Sequence, residues 1–113
     1  MYSYQLQIFM KKHCKLDTID HIAIQVQNIE KSVEWYKNKF KCKIIYSDKT
    51  WAFIQFKNTK LALVTNTEHP PHFAVLDNEV ENNPKAITHR DGSISVYTKD
   101  NNNNYIELIT YKE

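Results

Sequence analysis

The chain carries one short pattern twice, as His21-Ile-Ala-Ile and again as His72-Phe-Ala-Val. The two histidines lie 51 positions apart (72 − 21), which is nearly half of the 113 residues. A repeat at that distance predicts two copies of one structural unit. Each copy is followed, later in its half, by a second apolar run, at residues 60–64 and 105–109. The sequence therefore predicts two pairs of matching strands.

Composition restricts what such a chain can bind. Hydrophobic residues make up 42% of the sequence, enough for one core at this length, and the net charge is only +2. Arg90 is the only arginine, whereas arginine is the preferred side chain for base edges and phosphates. Cys14 and Cys42 have no CxxC spacing and indicate reduced thiols. No apolar run approaches the ~20 residues that span a bilayer. We expect a cytoplasmic protein that binds neither nucleic acid nor membrane.

The first half has the periodicities of a β-α-β-β-β unit. Residues 19–26 alternate as a strand does, and Asn28 is suited to cap a following helix. Apolar residues at helical spacing then predict an amphipathic helix over about residues 29–40. Three further strands are predicted after it, at residues 43–46, 51–56 and 61–64.

The second half predicts a shortened version of the same unit. Pro70 and Pro71 end the connection at residues 65–71, since proline is excluded from central strands. A strand at 72–76 is followed by a polar segment, 77–86, with room for only one or two helical turns. At least two strands follow, at 93–99 and 105–111, separated by an asparagine-rich turn.

Together the halves predict a single domain over residues 18–113, with modules at about 18–64 and 72–111. Residues 1–17 fit neither module. Tyr4, Leu6 and Ile8 alternate with polar residues, so this segment is expected to be either an N-terminal arm or an extra strand.

Three residues on the predicted strands are candidate ligands of one metal ion: His21, His72 and Glu107. Glu107 interrupts an apolar run, so it either faces solvent or points inward, where an unpaired carboxylate would cost several kcal/mol. Two histidines and one carboxylate suit a divalent Fe, Mn, Zn or Ni ion. A histidine entering a strand is also a common structural residue, and His69 is an alternative ligand close to His72.

The β-α-β-β-β repeat, the paired His-x-Ala-x strands and the closing Tyr-Ile-Glu-Leu-Ile resemble the vicinal oxygen chelate superfamily. That superfamily includes glyoxalases, bleomycin resistance proteins and extradiol dioxygenases, and the resemblance covers residues 18–111. It implies an α+β fold in which two tandem βαβββ-type modules, the second with a reduced helix, form a curled mixed sheet around a central cleft. It also implies that His21, His72 and Glu107 hold a divalent metal ion there.

One position departs from the pattern of glyoxalase I. Ala62 matches Glu107 when the two halves are aligned, whereas glyoxalase I has a carboxylate at that position. Three protein ligands would leave positions open for a substrate, as a catalytic ion requires. The departure argues against glyoxalase activity and for a more open metal site.

The second half is closer to the extradiol dioxygenases. Residues 87–107 partly match their signature, although asparagines replace its proline and glycine. The resemblance implies that His89 and Tyr97 are catalytic, as acid–base and hydrogen-bonding groups beside the metal. On the residues alone, Tyr97 fits any strand and His89 fits a solvated turn.

We therefore expect a small metal-dependent enzyme, of dioxygenase or lyase type, that chelates two neighbouring oxygens of a small-molecule substrate. A homodimer is expected, because members of the superfamily commonly dimerise. The alternatives are a metal-independent protein of the same fold that binds an antibiotic-like molecule, and an interaction module with a vestigial site. Tyr46, Trp51 and Phe53 either line the pocket or pack in the core, and Arg90 either holds an anionic group or lies on the surface.

Overall fold

The alternating runs of the sequence form strands, and the run with helical spacing forms a helix. The structure is a computed structural model that describes residues 15–112. In chain order the elements are β1 (Ile19–Gln25), α1 (Ile29–Lys39), β2 (Lys43–Ser47), β3 (Trp51–Gln55), β4 (Lys60–Val64), β5 (His72–Leu76), a 3₁₀ turn (Val80–Asn82), β6 (Ile87–Thr88), β7 (Ile94–Lys99) and β8 (Tyr105–Thr110). Every strand predicted between residues 19 and 111 is present. β6 has no predicted counterpart, because two residues are too few to show an alternation.

The eight strands found among residues 15–112 belong to one mixed sheet with the order β2-β3-β4-β1-β5-β8-β7-β6. β1 pairs in parallel with β4, and β5 pairs in parallel with β8, while β1 and β5 are antiparallel. The repeated patterns meet at that central junction, where His21 lies opposite Ala74 and Ala23 lies opposite His72. An approximate two-fold axis therefore passes between the two copies. The expected α+β fold, a curled mixed sheet with a reduced second helix, is confirmed.

Helix α1 covers the outer face of the first half. Asn28 caps it by accepting a hydrogen bond from the backbone N–H of Lys31 at 2.8 Å. Ile29 and Val33 are buried beneath the helix. They form a core cluster with the strand residues Ala52, Ile54 and Leu63. Because side chains alternate between the two faces of a strand, the neighbours of these strand residues point to the inner face of the sheet.

The second half carries the 3₁₀ turn where the first half carries α1. Val80, in that turn, is buried. The asparagine-rich turn before β8 is built around Asp100, whose carboxylate accepts hydrogen bonds from the backbone N–H groups of Asn102 and Asn104. Asn103 takes the left-handed conformation, with φ 66°, that asparagine tolerates better than most residues.

The expected N-terminal arm or extra strand falls on residues 1–17, of which only 15–17 are among the described residues. Across the described part of the chain, no helix has the length and apolar character needed to cross a bilayer.

Candidate metal centre

The inner face of the sheet bounds a cavity of about 290 Å³. Both halves of the chain supply its walls. Trp51, Phe53 and Val64 make one side apolar, while His69 and Tyr97 lie among the polar residues of the other side. A cavity of this size is near the lower end of the range for small-molecule sites.

His21, His72 and Glu107 come together at this wall, and all three are buried. The Oε1 atom of Glu107 lies 3.3 Å from Nε2 of His21 and 3.1 Å from Nε2 of His72. One possible ligand atom from each residue lies within 4.8 Å of the others. The sheet thus brings together three side chains that are far apart in the sequence.

Strand register explains this convergence. Glu107 pairs with Ala74, two residues after His72, and Ala62 pairs with Ala23, two residues after His21. Ala62 therefore occupies in the first half the register position that Glu107 occupies in the second. It lines the same cavity with a methyl group, so the first half supplies no side-chain ligand atom at the position that matches Glu107.

Each histidine is held through its other ring nitrogen. Nδ1 of His21 lies 2.7 Å from Oδ2 of Asp20, and Nδ1 of His72 lies 2.7 Å from the carbonyl oxygen of Pro70. A carbonyl oxygen and an ionised carboxylate can only accept hydrogen bonds. Both Nδ1 atoms are therefore the donors and carry protons. The two Nε2 atoms therefore face Glu107 with their lone pairs whenever the rings are neutral.

The surroundings of the cluster favour a negative charge on Glu107 and a positive charge on His21. Burial opposes ionisation of Glu107, but contacts with the rings of His21 and His72 and a hydrogen bond from Ser95 lower its pKa well below the ordinary value. Burial likewise opposes charge on His21, yet its contacts with Asp20 and Glu107 raise the pKa of its ring above the usual value. The buried carboxylate therefore remains ionised and attracts a positive charge to the two nitrogens.

These donors fit a divalent ion. Two ligand atoms at right angles on an ion with bonds of about 2.1 Å lie about 3.0 Å apart. The distances from Glu107 to His21 and His72 are 3.3 and 3.1 Å, close to that value. Two imidazole nitrogens and a carboxylate oxygen are also the donor types that transition-metal ions accept.

Ser95 connects Glu107 to His89. The Ser95 hydroxyl donates to Oε2 of Glu107 at 2.7 Å and accepts from Nε2 of His89 at 2.5 Å. His89 lies 3.8 Å from Glu107 itself, so it reaches the carboxylate mainly through the serine. Sequence reasoning missed Ser95, although its spacing of two residues from Tyr97 on one strand places both on the inner face.

Tyr97 lies over His72, with its hydroxyl 3.4 Å from Nδ1 and 3.5 Å from Nε2 of that ring. The same hydroxyl is 2.7 Å from Nδ1 of His69. Burial raises the pKa of Tyr97, so its hydroxyl stays protonated. Burial also lowers the pKa of His69, which favours the neutral ring that accepts this hydrogen bond. His69 thus lines the cavity but is not one of the three clustered residues.

Arg90 ties the second half to the first. Its guanidinium lies 2.9 Å from Asp48 and 3.2 Å from Glu68, and it lies over the ring of Trp51 at 5.8 Å. Its charge is therefore already matched by two carboxylates. Trp51 lines the cavity, whereas Tyr46 stacks on Trp51 at 4.3 Å and is not among the lining residues.

A curled sheet around a cavity with a buried His-His-Glu cluster defines an α+β protein with a candidate metal centre. The model of the Glyoxalase/Bleomycin resistance protein/Dioxygenase superfamily matches residues 18–100. The chain belongs to this superfamily, as its sequence predicts.

Solved structures with the same fold are distant in sequence. A hypothetical protein, BH1468 from Bacillus halodurans C-125, is 18% identical with a TM-score of 0.68, and the match covers 86% of this chain and 96% of that one. The methylmalonyl-CoA epimerase from Mycobacterium tuberculosis is 14% identical with a TM-score of 0.68, over 84% of this chain and 88% of its own. A superfamily member from Vibrio splendidus 12B01 is 7% identical with a TM-score of 0.61, over 83% of this chain and 98% of its own. At these identities the likeness shows the fold alone. No curated protein matches the sequence significantly.

Proposed function

We propose that the protein is a metal-dependent enzyme that acts on a small molecule through two neighbouring oxygen atoms. The observation that carries the proposal is the convergence of His21 Nε2, His72 Nε2 and Glu107 Oε1 at the wall of a cavity. A divalent ion bound by them would supply a Lewis acid that stabilises negative charge developing on the substrate. Because Ala62 supplies no ligand atom where Glu107 does in the other half, a position on the ion would stay open to the substrate.

We assign the acid–base work to Tyr97 and His89, which both line the cavity. The Tyr97 hydroxyl lies beside the His72 ring and stays protonated, so it can donate a hydrogen bond to a substrate oxygen held there by exchanging its present acceptor, Nδ1 of His69. His89 supports the cluster through Ser95 and is close enough to the cavity to accept or return a proton.

Ring-opening dioxygenation is the reaction class that we favour. The cavity of about 290 Å³ suits a compact molecule, and the aromatic wall of Trp51 and Phe53 suits a planar one. Oxygen uptake with a panel of aromatic vicinal diols tests this class. Because the methylmalonyl-CoA epimerase from Mycobacterium tuberculosis has the same fold, CoA esters should be assayed for isomerisation in parallel.

Metal uptake by the purified protein is the decisive test of the proposal. We expect about one equivalent of Fe, Mn, Zn or Ni per chain after purification without chelator, or after reconstitution, measured by elemental analysis. His72→Ala should abolish uptake, because it removes one of three ligands. His69→Ala is the matched control, since it removes a histidine from the same cavity and should leave uptake intact. Less than a tenth of an equivalent in the unmodified protein would rule out the proposal.

A metal-independent binding protein is the second candidate, and the aromatic wall of the cavity favours it. In that case an aromatic ligand would bind unmodified protein and His72→Ala with equal affinity. The homodimer stays a prediction of the resemblance, and sedimentation equilibrium at micromolar concentration tests it.

A further inference from the structure

Asp20 lies against the cluster in a position that a regular strand would not allow. Successive side chains on a strand point to opposite faces, so Asp20 and His21 should diverge. The pairing of β1 with β5 instead shifts between Ile19 and His21, which leaves Asp20 as the extra residue of a β-bulge. The Asp20 carboxylate thereby reaches the edge of the His21 ring, with Oδ2 at 2.7 Å from Nδ1.

Asp20 is itself held from two other strands. The hydroxyl of Tyr111, just after β8, donates to Oδ2 at 2.6 Å, and Nζ of Lys60, on β4, lies 3.1 Å from Oδ1. Only 10% of the Asp20 side chain is exposed. The Lys60 ammonium also lies over the rings of Phe53 and Tyr111, at 5.1 and 4.7 Å. A nearly buried carboxylate therefore has a cation, a hydroxyl and an imidazole around it, which offset the cost of its burial.

We propose that Asp20, fixed by Lys60 and Tyr111, is a positioning residue that holds the proton of His21 on Nδ1 and so turns the Nε2 lone pair toward Glu107. The expected effect of Asp20 on metal binding rests on the proposed metal site. Ligating histidines commonly donate their second ring N–H to a carboxylate or a carbonyl, and loss of such a partner typically weakens metal binding by about 10–100-fold. The β-bulge thus allows Asp20, the residue before His21 in the sequence, to accept the hydrogen bond from the His21 ring.

His72 provides an internal comparison. Its Nδ1–H is held by the backbone carbonyl of Pro70, so no side-chain substitution removes its partner. A change at Asp20 should therefore alter the tautomer of His21 and leave that of His72 unchanged. A general disturbance of the fold would alter both rings.

The first measurement uses metal-free, ¹⁵N-labelled protein, because ring nitrogen shifts identify the protonated nitrogen of each histidine. At a pH high enough to leave both rings neutral, we expect Nδ1–H in both His21 and His72 of the unmodified protein. Asp20→Ala should shift His21 toward the Nε2–H tautomer, because Glu107 is then the carboxylate left beside the ring, while Asp20→Asn, which keeps a side-chain oxygen as acceptor, should retain more Nδ1–H. An unchanged His21 ring in Asp20→Ala would overturn the proposal, as would equal changes in both rings.

The second measurement is titration with Zn²⁺ by calorimetry. We expect affinity to fall about 10–100-fold in Asp20→Ala, less in Tyr111→Phe, and not at all in Asp17→Ala, which alters an exposed carboxylate before β1. Unchanged affinity in Asp20→Ala would overturn the proposal, whereas absence of binding in the unmodified protein would overturn the proposed function. In that second case the ring tautomers alone decide the role of Asp20. If Asp20→Ala does not fold, Tyr111→Phe and Lys60→Met provide the same comparison, and unaltered tautomer and affinity in both would overturn the proposal.

Discussion

Ser95 is the residue through which β7 reaches Glu107. Replacing it by alanine removes the hydroxyl that donates to Oε2 at 2.7 Å and breaks the connection to His89. We expect Ser95→Ala to weaken Zn²⁺ affinity about 10-fold and to lower the free energy of unfolding by about 1 kcal/mol. Calorimetric titration and urea unfolding measure the two effects.

Ser93 offers a matched control for that prediction. It is also buried, but its hydroxyl donates to Asp91 at 2.6 Å and not to Glu107. Ser93→Ala should therefore cost stability without changing Zn²⁺ affinity. Equal affinities in the Ser95 and Ser93 variants would show that the Ser95 hydroxyl does not support Glu107.

At the residue scale, the sequence best predicts which side chains lie together in the site where the alternation along a strand is regular. His21 and His72 stand at the same place in two copies of one pattern, and Glu107 breaks an apolar run, so all three are recognisable. Asp20 is not, because alternation assigns it to the opposite face and only the bulge in β1 brings it to His21. Whether the three residues bind a metal stays a prediction.

At the element scale, the turn before β7 depends on the only glycine of the chain. Gly92 has φ 87°, and a Cβ added there would meet no atom within 4 Å. Its N–H donates to the carbonyl of His89 at 2.9 Å, so the turn also places that histidine at the cavity. Gly92→Ala should therefore cost about 1 kcal/mol of stability through backbone strain alone, measured by urea unfolding.

Asn103 supplies the opposite substitution for comparison. It holds φ 66° with a side chain present, so Asn103→Gly should leave stability unchanged or raise it. Equal losses for the two substitutions would indicate that side-chain contacts, and not backbone conformation, decide the stability of these turns.

Elements were predictable to the degree that they are long and periodic. Helix α1 has both a cap and an apolar stripe, and it ends at Lys39, one residue before the predicted Phe40. β6 has only two residues, and its pairing with β7 depends on the turn between them, so no local pattern indicates it. The resemblance implied two modules in one curled mixed sheet, but the order of the strands follows from long-range pairing, which periodicity does not indicate.

At the scale of the whole molecule, the two halves are joined by side chains as well as by the β1–β5 ladder. Arg90, from the loop before β7, pairs with Asp48 in the turn between β2 and β3, at 2.9 Å. Asp48 also accepts hydrogen bonds from Tyr46 and from the backbone N–H groups of Thr50 and Trp51. Although desolvation opposes ionisation, these contacts lower the pKa of Asp48 from 3.8 to about 2.

This pKa difference predicts how the junction responds to acid. A carboxylate whose pKa is lower in the folded state stabilises the fold above its unfolded pKa, and that contribution disappears as the pH falls through the folded value. The unmodified protein should therefore melt at a higher temperature than Asp48→Asn at pH 5–7, and the gap should close between about pH 4 and pH 2. Asp17→Asn, at an exposed carboxylate before β1, is the control and should leave the melting temperature nearly unchanged. A gap for Asp48→Asn that stays constant or widens below pH 4 would mean that the Asp48–Arg90 contact does not hold the halves together, leaving that role to the strand pairing of β1 with β5.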